Sequence, residues 1–501
     1  MVQLDHIDPS EDTFRILLTT DNHVGYLESD PIRGRDSHNT FTEILNVANE
    51  KEVDFILQAG DLFHTNNPSL TSYHHVAKVI RENCLGSKPI EYQLLSDPGE
   101  SLSTNWPIEF DPNINVGLPI YAISGNHDDA TGEDMLSPLD LLAEAGLLNH
   151  FGKVENEHIT IHPLLFNKGN TNLALYGMGN VKEERLMKTM SNGDLTFLEP
   201  AEGDWFSIFA LHQNHVHRPG VKVVEEGSLP PFLDFILWGH EHDIRKGVND
   251  ISDSFVLQGG SSVATSLSEG ESGDKMIWLL SVRGKDFALE SIKLKTVRPF
   301  VFSDVSLKAN GVDYDQKSML KWLIKQVEFL IAKANKKGNG DMLPLVRMRV
   351  DYSGGYDMEN TRYFSNRFVG LVANINDVVT YHQKKRKQLT FSNSNNESID
   401  KEIDDIEQNE ENKPEEIVEM IKDEIGELIM LNKDTFATTL ERYLHDGKGL
   451  GDYVKKEEKI YSDILDKLEI TEVEDTVGLR KRLTTMTKQL GKQIQFAEQN
   501  T

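Results

Sequence analysis

Five short clusters of metal-ligand residue types run in order along the first half of this chain: Asp21-Asn22-His23, Gly60-Asp61, Gly125-Asn126-His127-Asp128, His212 and Gly239-His240-Glu241-His242. Each stands behind an apolar run that reads as a buried strand: residues 15–20, 55–59, 120–124, 206–211 and 235–238. The carboxyl ends of neighbouring strands form one rim of a sheet, so ligands placed there converge. Asp, Asn and His without Cys suit two hard-to-borderline divalent ions, bridged by one carboxylate, that clamp a phosphate ester. Singly the signals are weak, since a Gly-Asp pair most often marks a turn. Gly-Asn-His-Asp and Gly-His-x-His, each behind a strand, are more specific. In an extended segment His240 and His242 point the same way, so both imidazoles reach neighbouring ions. Together the five clusters read as a two-metal phosphoesterase.

The elements that must position these residues are an α/β alternation. Residues 13–296 alternate short apolar strands with helical stretches, which predicts a two-sheet sandwich flanked by helices. Phe255–Leu257 and Met276–Val282 read as paired strands of its last part. Residues 86–119 form a polar insertion, too long for an ordinary connection, and such segments are functional or solvated surface. Residues 297–388 read as a smaller α+β unit, with a helix from Asp315 to Lys336 and strands at 343–352 and 377–381. The basic run Lys384-Lys385-Arg386-Lys387 is a nuclear address, a phosphate contact or a solvated turn. Residues 389–416, rich in Ser, Asn and Glu, predict a disordered acidic linker. Apolar stripes return at 417–497, on helices that pair with each other or dock on a partner.

At 501 residues the chain holds two or three domains, and no apolar run is long enough for a membrane span. The polar, acidic N-terminus does not read as a signal or transit sequence. A single Cys, Cys84, excludes an intramolecular disulfide framework and fits a reducing compartment. The net charge of −29 argues against nucleic acid if taken alone. Much of it, however, falls between Glu397 and Glu427, away from the ligand clusters.

The ligand pattern resembles the calcineurin-like metallophosphoesterase superfamily. Gly125–Gly132, His212-Gln213-Asn214, Trp238–His242, Leu175–Gly179, Gly260–Leu267 and Val350–Gly355 narrow the resemblance to the eukaryotic MRE-eleven (SbcD-like) double-strand-break repair nucleases, over residues 13–385. Asp61-Leu62-Phe63-His64 lacks the Asp-Arg-Gly continuation of the serine/threonine phosphatase branch. Ala130 stands where many members have Pro, and the family's basic, Gly/Arg-rich tail has no counterpart up to Thr501. The resemblance implies one metal on Asp21, His23, Asp61 and His242, and a second on Asp61, Asn126, His212 and His240, with Asp61 the bridge. It makes His127 the general acid over the leaving oxygen, a role suited to a group titrating near neutral pH. Asp128 is expected to orient His127 or to cap the next segment. His64 is either a substrate-positioning residue or a helix-entry histidine. Of His212, His215 and His217, the first is the candidate because it ends the strand.

The resemblance further implies two Mn2+ ions, 3′-to-5′ exonuclease and single-strand endonuclease activity, and a nuclear location. It makes residues 297–388 a capping, DNA-binding domain. The partners implied are DNA, a second copy of the chain, a coiled-coil ABC-type ATPase of the Rad-fifty type on the C-terminal helices, and a phosphopeptide-binding adaptor of the Nbs/Xrs type on the 86–119 insertion. The helix after Pro68-Ser69, with Tyr73, Val76, Ala77 and Ile80 on one face, is expected to be shared between its own core and the second copy. Two alternatives stay open: a phosphomonoesterase or nucleotidase on the same fold, and a scaffold that mainly tethers the ATPase to DNA ends.

Overall fold

A computed structural model of the chain describes residues 1–383, apart from 105, 133, 155–157, 219, 249–252 and 339–341. The basic run at 384–387, the expected linker at 389–416 and the expected helices at 417–497 lie outside the described residues. The chain divides into two units, residues 1–399 and 400–501, and only the first is described.

Two seven-stranded sheets carry the ligand clusters. The first runs Val2–Leu4, Asp286–Lys293, Met276–Arg283, Phe14–Thr19, Phe55–Ala59, Ile120–Ile123, Asn149–His150. The second runs Arg245–Val248, Phe255–Gln258, Phe235–Gly239, Trp205–His212, Thr171–Met178, Leu164–Lys168, Gln93–Leu94. Phe14, Ile16, Leu18, Phe55, Leu57 and Tyr121 of the first sheet pack against Phe206, Ile208, Ala210, Phe235 and Leu237 of the second. The intervening residues face outward under further cover. Leu17 and Ile56 lie beneath the helices Asp36–Glu50, Leu70–Cys84 and Pro138–Glu144. Strands covered on both faces need apolar residues at nearly every position, which is why these segments are continuous apolar runs and do not alternate. Full burial of each such side chain contributes about 1.5–3 kcal/mol before the entropy of ordering the chain.

The central strands are parallel and in register. Thr19 pairs with Gln58, Ala59 with Ile123, and His212 with Gly239. Their carboxyl ends therefore finish side by side on one edge of the sandwich. Phe255–Gln258 and Met276–Arg283 are not partners, contrary to expectation. The former lies beside Phe235–Gly239 in the second sheet, and the latter lies between Phe14–Thr19 and Asp286–Lys293 in the first. The segment from Gly259 to Lys275 crosses from one sheet to the other, and apolar patterning does not say which sheet a strand joins.

The insertion is tied to the core. It contains the short strand Gln93–Leu94 and two single turns, Pro98–Glu100 and Ile108–Phe110. Glu109 accepts hydrogen bonds from Tyr92 at 2.8 Å, Tyr121 at 2.5 Å and Asn149 at 2.9 Å. On the helix Leu70–Cys84, Ser69 caps the first turn by accepting from the Ser72 amide. Val76 and Ile80 are fully buried in the protein's own core, Tyr73 stacks on Phe63, and Leu70 projects outward, 89% exposed.

Within the first unit, the α+β part expected at 297–388 folds the helix Gln316–Lys337 over three parallel strands, Phe300–Ser306, Leu345–Asp351 and Val379–His382. Met319, Leu323, Val327, Leu330 and Ile331 form the buried face of that helix. It meets the sandwich through a cluster of Ala264, Phe300, Leu345 and Ala373, and through Arg298 Nε donating to Asp36 at 2.5 Å.

Candidate metal centre

The strand ends turn sharply into the site, and the backbone there is strained. Asp21, His23, Asp61 and His240 all have positive φ, at 49°, 45°, 54° and 87°. Non-glycine residues rarely adopt this region, and such outliers cluster at functional sites. The strand Phe235–Gly239 ends before His240, so His240 and His242 do not share a strand face as the sequence spacing suggested, although His240 reaches Asn126 and His242 reaches His23. Glycine is required where loops cross. A Cβ on Gly125 would collide with the Asp61 carboxylate, and one on Gly60, at φ +92°, with the His212 ring.

The structure brings together all seven residues expected to be ligands. His23 Nε2 lies 3.1 Å from His242 Nε2 and 3.8 Å from both Asp21 Oδ1 and Asp61 Oδ2. His242 Nε2 lies 3.6 Å from Asp21 Oδ1. On the other side His212 Nε2 lies 3.4 Å from Asp61 Oδ2 and 3.1 Å from Asn126 Oδ1, which is 2.8 Å from His240 Nδ1. Asp61 Oδ2 is thus common to two donor sets. Ligand bonds of about 2.0–2.2 Å place adjacent donors roughly 3–3.5 Å apart around one ion, close to these separations. Asp21 Oδ1 is buried and has no hydrogen-bond partner. A carboxylate oxygen left so is costly unless something positive meets it. The donor set and this orphaned oxygen both fit a divalent ion.

Electrostatics point the same way. Burial would lower His212, but attraction to Asp61 and a hydrogen bond donated to its carboxylate push it up to about 10. Burial, and then the charge of His212, bring His240 down to about 3. Burial holds His23 well below the ordinary imidazole range, although Asp61 opposes this. Burial would lower His242 too, but the hydrogen bond it gives Glu271 and the charge of Asp21 raise it, so positive charge is favoured beside both buried aspartates.

Around these donors, each further partner fixes an orientation. His212 Nδ1 donates to the Ala59 carbonyl at 2.9 Å, which turns Nε2 toward Asp61. Asn214 Oδ1 lies 2.9 Å from His240 Nε2, leaving Nδ1 toward Asn126. Glu241 accepts from the amides of His215 and Val216 and from Arg218, holding the loop that carries Asn214. His215 itself stacks on Trp238 at 4.0 Å, away from the donor sets. His127 Nδ1 donates to the His64 carbonyl at 2.7 Å, and its amide donates to Asp61 Oδ1 at 2.8 Å. His64 is no helix-entry residue. Its ring stacks on His127 at 5.0 Å, with Nδ1 3.4 Å from His23 Nδ1.

Asp128 neither orients the His127 ring nor caps a helix. Its Oδ2 accepts from the amides of Leu62 at 2.6 Å and Phe63 at 3.3 Å, and Oδ1 from Gly125 at 2.6 Å. It staples the Asp61 loop to the Asn126 loop. Glu271, which accepts from His242 Nδ1 at 2.7 Å, was not singled out from the sequence. Its Ser/Gly/Glu surroundings carry no signal of such a role.

Stacked sheets with Asp, Asn and His converging at one rim are the fold of the calcineurin-like phosphoesterases, whose family model matches residues 14–243. Residues 287–443 match the Mre11 DNA-binding presumed domain. The chain is 43% identical to the double-strand break repair protein mus-23 of Neurospora crassa, over 74% of this chain and 54% of the relative. It is 38% identical to the double-strand break repair protein MRE11 of Homo sapiens, over 75% and 56%, and 36% identical to that of Gallus gallus, over 94% and 68%. The chain belongs to the MRE11 double-strand break repair protein family. It spans about half the length of most of the curated relatives it matches.

Proposed function

We propose that the chain is a divalent-metal-dependent phosphodiesterase that cuts DNA during double-strand-break repair. The observation that carries this reading is Asp61 Oδ2, 3.8 Å from His23 Nε2 on one side and 3.4 Å from His212 Nε2 on the other. In this reading Asp21, His23, Asp61 and His242 hold one ion. Asp61, Asn126, His212 and His240 hold the other. Manganese is the ion proposed, from a donor set that also accepts iron or zinc. When bound, such a pair supplies charge to the phosphate oxygens and a water acidic enough to act as nucleophile near neutral pH.

The chain's own residues do the rest. The His64 carbonyl accepts a hydrogen bond from His127 Nδ1, so Nε2 is the atom that delivers a proton to the leaving oxygen. Burial, and then the neighbouring His127, bring His64 down to about 4, so it is neutral at physiological pH and serves to position the strand. Asp, Asn and His side chains make up the donor sets, and the reaction proposed on them is direct hydrolysis by water.

DNA as substrate is supported by the family and by the matched DNA-binding presumed domain. The finer reading is 3′-to-5′ exonuclease and single-strand endonuclease activity, in a nuclear homodimer that contacts its copy through the helix Leu70–Cys84. Residues 297–388 cap the site on the DNA, the coiled-coil ATPase binds residues 417–497, and the phosphopeptide-binding adaptor docks on residues 86–119. The test is manganese-dependent release of nucleotides from a 3′-labelled duplex, beside a chromogenic phosphomonoester. The parent chain is expected to degrade the duplex. Turnover of the monoester alone would make the chain a phosphomonoesterase.

A further inference from the structure

We propose that Glu271 is a positioning residue of the metal centre: its carboxylate fixes the His242 imidazole so that Nε2 faces Asp21 and His23. The proposal rests on the reading that His242 holds one of the two ions. Glu271 lies in a single turn, Gly270–Ser272, on the segment that crosses between the sheets. It is only 2% exposed, and its Oε2 has no hydrogen-bond partner. Burying a carboxylate with one oxygen unsatisfied is unfavourable, so the contacts of the other oxygen must justify its place. The shortest of them is the 2.7 Å contact with His242 Nδ1. The others are longer: Thr265 Oγ1 at 3.3 Å and the Thr265 amide and Ser261 Oγ at 3.4 Å. Thr265 Oγ1 also lies 2.8 Å from His242 Nδ1, closing a small ring of contacts around that one nitrogen.

A carboxylate behind a histidine ligand fixes the ring tautomer and raises the basicity of the opposite nitrogen. Here the opposite nitrogen is the one 3.1 Å from His23 Nε2 and 3.6 Å from Asp21 Oδ1. None of the other described donors has a carboxylate in this position. His212 leans on the Ala59 carbonyl and His240 on Asn214. The effect is therefore confined to one ion.

The geometry also explains how Glu271 stays in place. Buried Lys275 donates to Ser261 Oγ at 2.8 Å and to the His242 carbonyl at 3.4 Å, setting a positive charge behind the group. Tyr26 donates to the Thr265 carbonyl at 2.5 Å and Arg33 to that of Ala264 at 2.9 Å. From the end of the helix Gln316–Lys337, Lys337 donates to the Ser272 carbonyl, next to Glu271, at 2.7 Å.

The experiment is calorimetric titration of Mn2+ into the metal-free full chain, for the parent and for His242→Ala, Glu271→Ala and Glu271→Gln, with melting curves beside them. The parent binds two ions and His242→Ala loses one. If His242→Ala keeps both, the ligand assignment fails, whatever Glu271 does. Glu271→Ala is expected to weaken one ion about 10–100-fold and leave the other within about threefold. Glu271→Gln keeps an acceptor for Nδ1–H and should restore part of that loss. Two parent-like ions in folded Glu271→Ala, or equal weakening of both without rescue by Glu271→Gln, overturn the proposal. Should Glu271→Ala not fold, the nitrogen-15 spectrum of the metal-free parent decides. A His242 ring carrying its proton on Nδ1 upholds the proposal, and one carrying it on Nε2 overturns it.

Discussion

Replacing Asp128 by Ala tests whether two loops must be stapled for the site to exist. The side chain is fully buried and accepts three backbone amides, from Leu62 and Gly125 at 2.6 Å and from Phe63 at 3.3 Å. Removing it strands at least two buried donors, each costing about 1–3 kcal/mol. Partial relaxation of the loops keeps the total near 3–5 kcal/mol, which lowers the melting temperature by on the order of 5–10 °C in a domain of this size. Leu62 directly follows Asp61 and Gly125 directly precedes Asn126, so the loops that part carry two of the donors. A displacement of about 1 Å is enough to cost about 100-fold in rate. Asp128→Asn, which keeps one acceptor oxygen, should fall between parent and Ala. The assay pairs a melting curve with nucleotide release from 3′-labelled duplex at saturating Mn2+. An Asp128→Ala chain that melts within about 1 °C of the parent and cuts within threefold of its rate would refute the stapling argument.

Three further outcomes follow from named contacts. Asp61→Asn should lose both ions, because one carboxylate faces both donor sets. His127→Asn should keep both and lose about 10²–10⁴ in cleavage, and equal metal loss in the two variants would contradict this division of roles. Asp140 is drawn down to about 2: burial opposes this, but the hydrogen bond from His150 at 2.7 Å outweighs it. Its folded value lies below the unfolded one, so its contribution of about 1–2 kcal/mol is complete above about pH 4 and lost as pH falls through about 2. Urea melts of Asp140→Asn and parent should therefore differ at pH 7 and converge in acid, and a pH-independent gap would sink the assignment. Leu70→Asp and Tyr73→Asp should shift a dimer toward monomer in light scattering with metal content unchanged, and equally dimeric variants would exclude that helix as the contact.

The ligand clusters were legible because each is local. A buried strand announces itself by an unbroken apolar run, and the polar residues just after it must lie at its carboxyl end. The same logic selected His212 over His215, and the structure puts His215 against Trp238. What lay opposite each element was not legible. Phe255–Gln258 and Met276–Arg283 look alike as sequence, yet they join different sheets, because apolar periodicity records burial and not the partner. Glu271 is 29 residues from His242, and Glu109 reaches Asn149 across 40, so neither contact leaves a local trace. The break at His240 was missed because a strand period was carried one residue too far, past Gly239 to where His240 has φ of 87°.

Anomalous scattering at the manganese edge, from crystals soaked in Mn2+, would show whether two ions share Asp61. Two peaks are expected: one bounded by Asp21, His23 and His242, the other by Asn126, His212 and His240, with Asp61 touching both. A single peak, or two peaks of which either lies beyond reach of Asp61, would contradict the bridging role of Asp61.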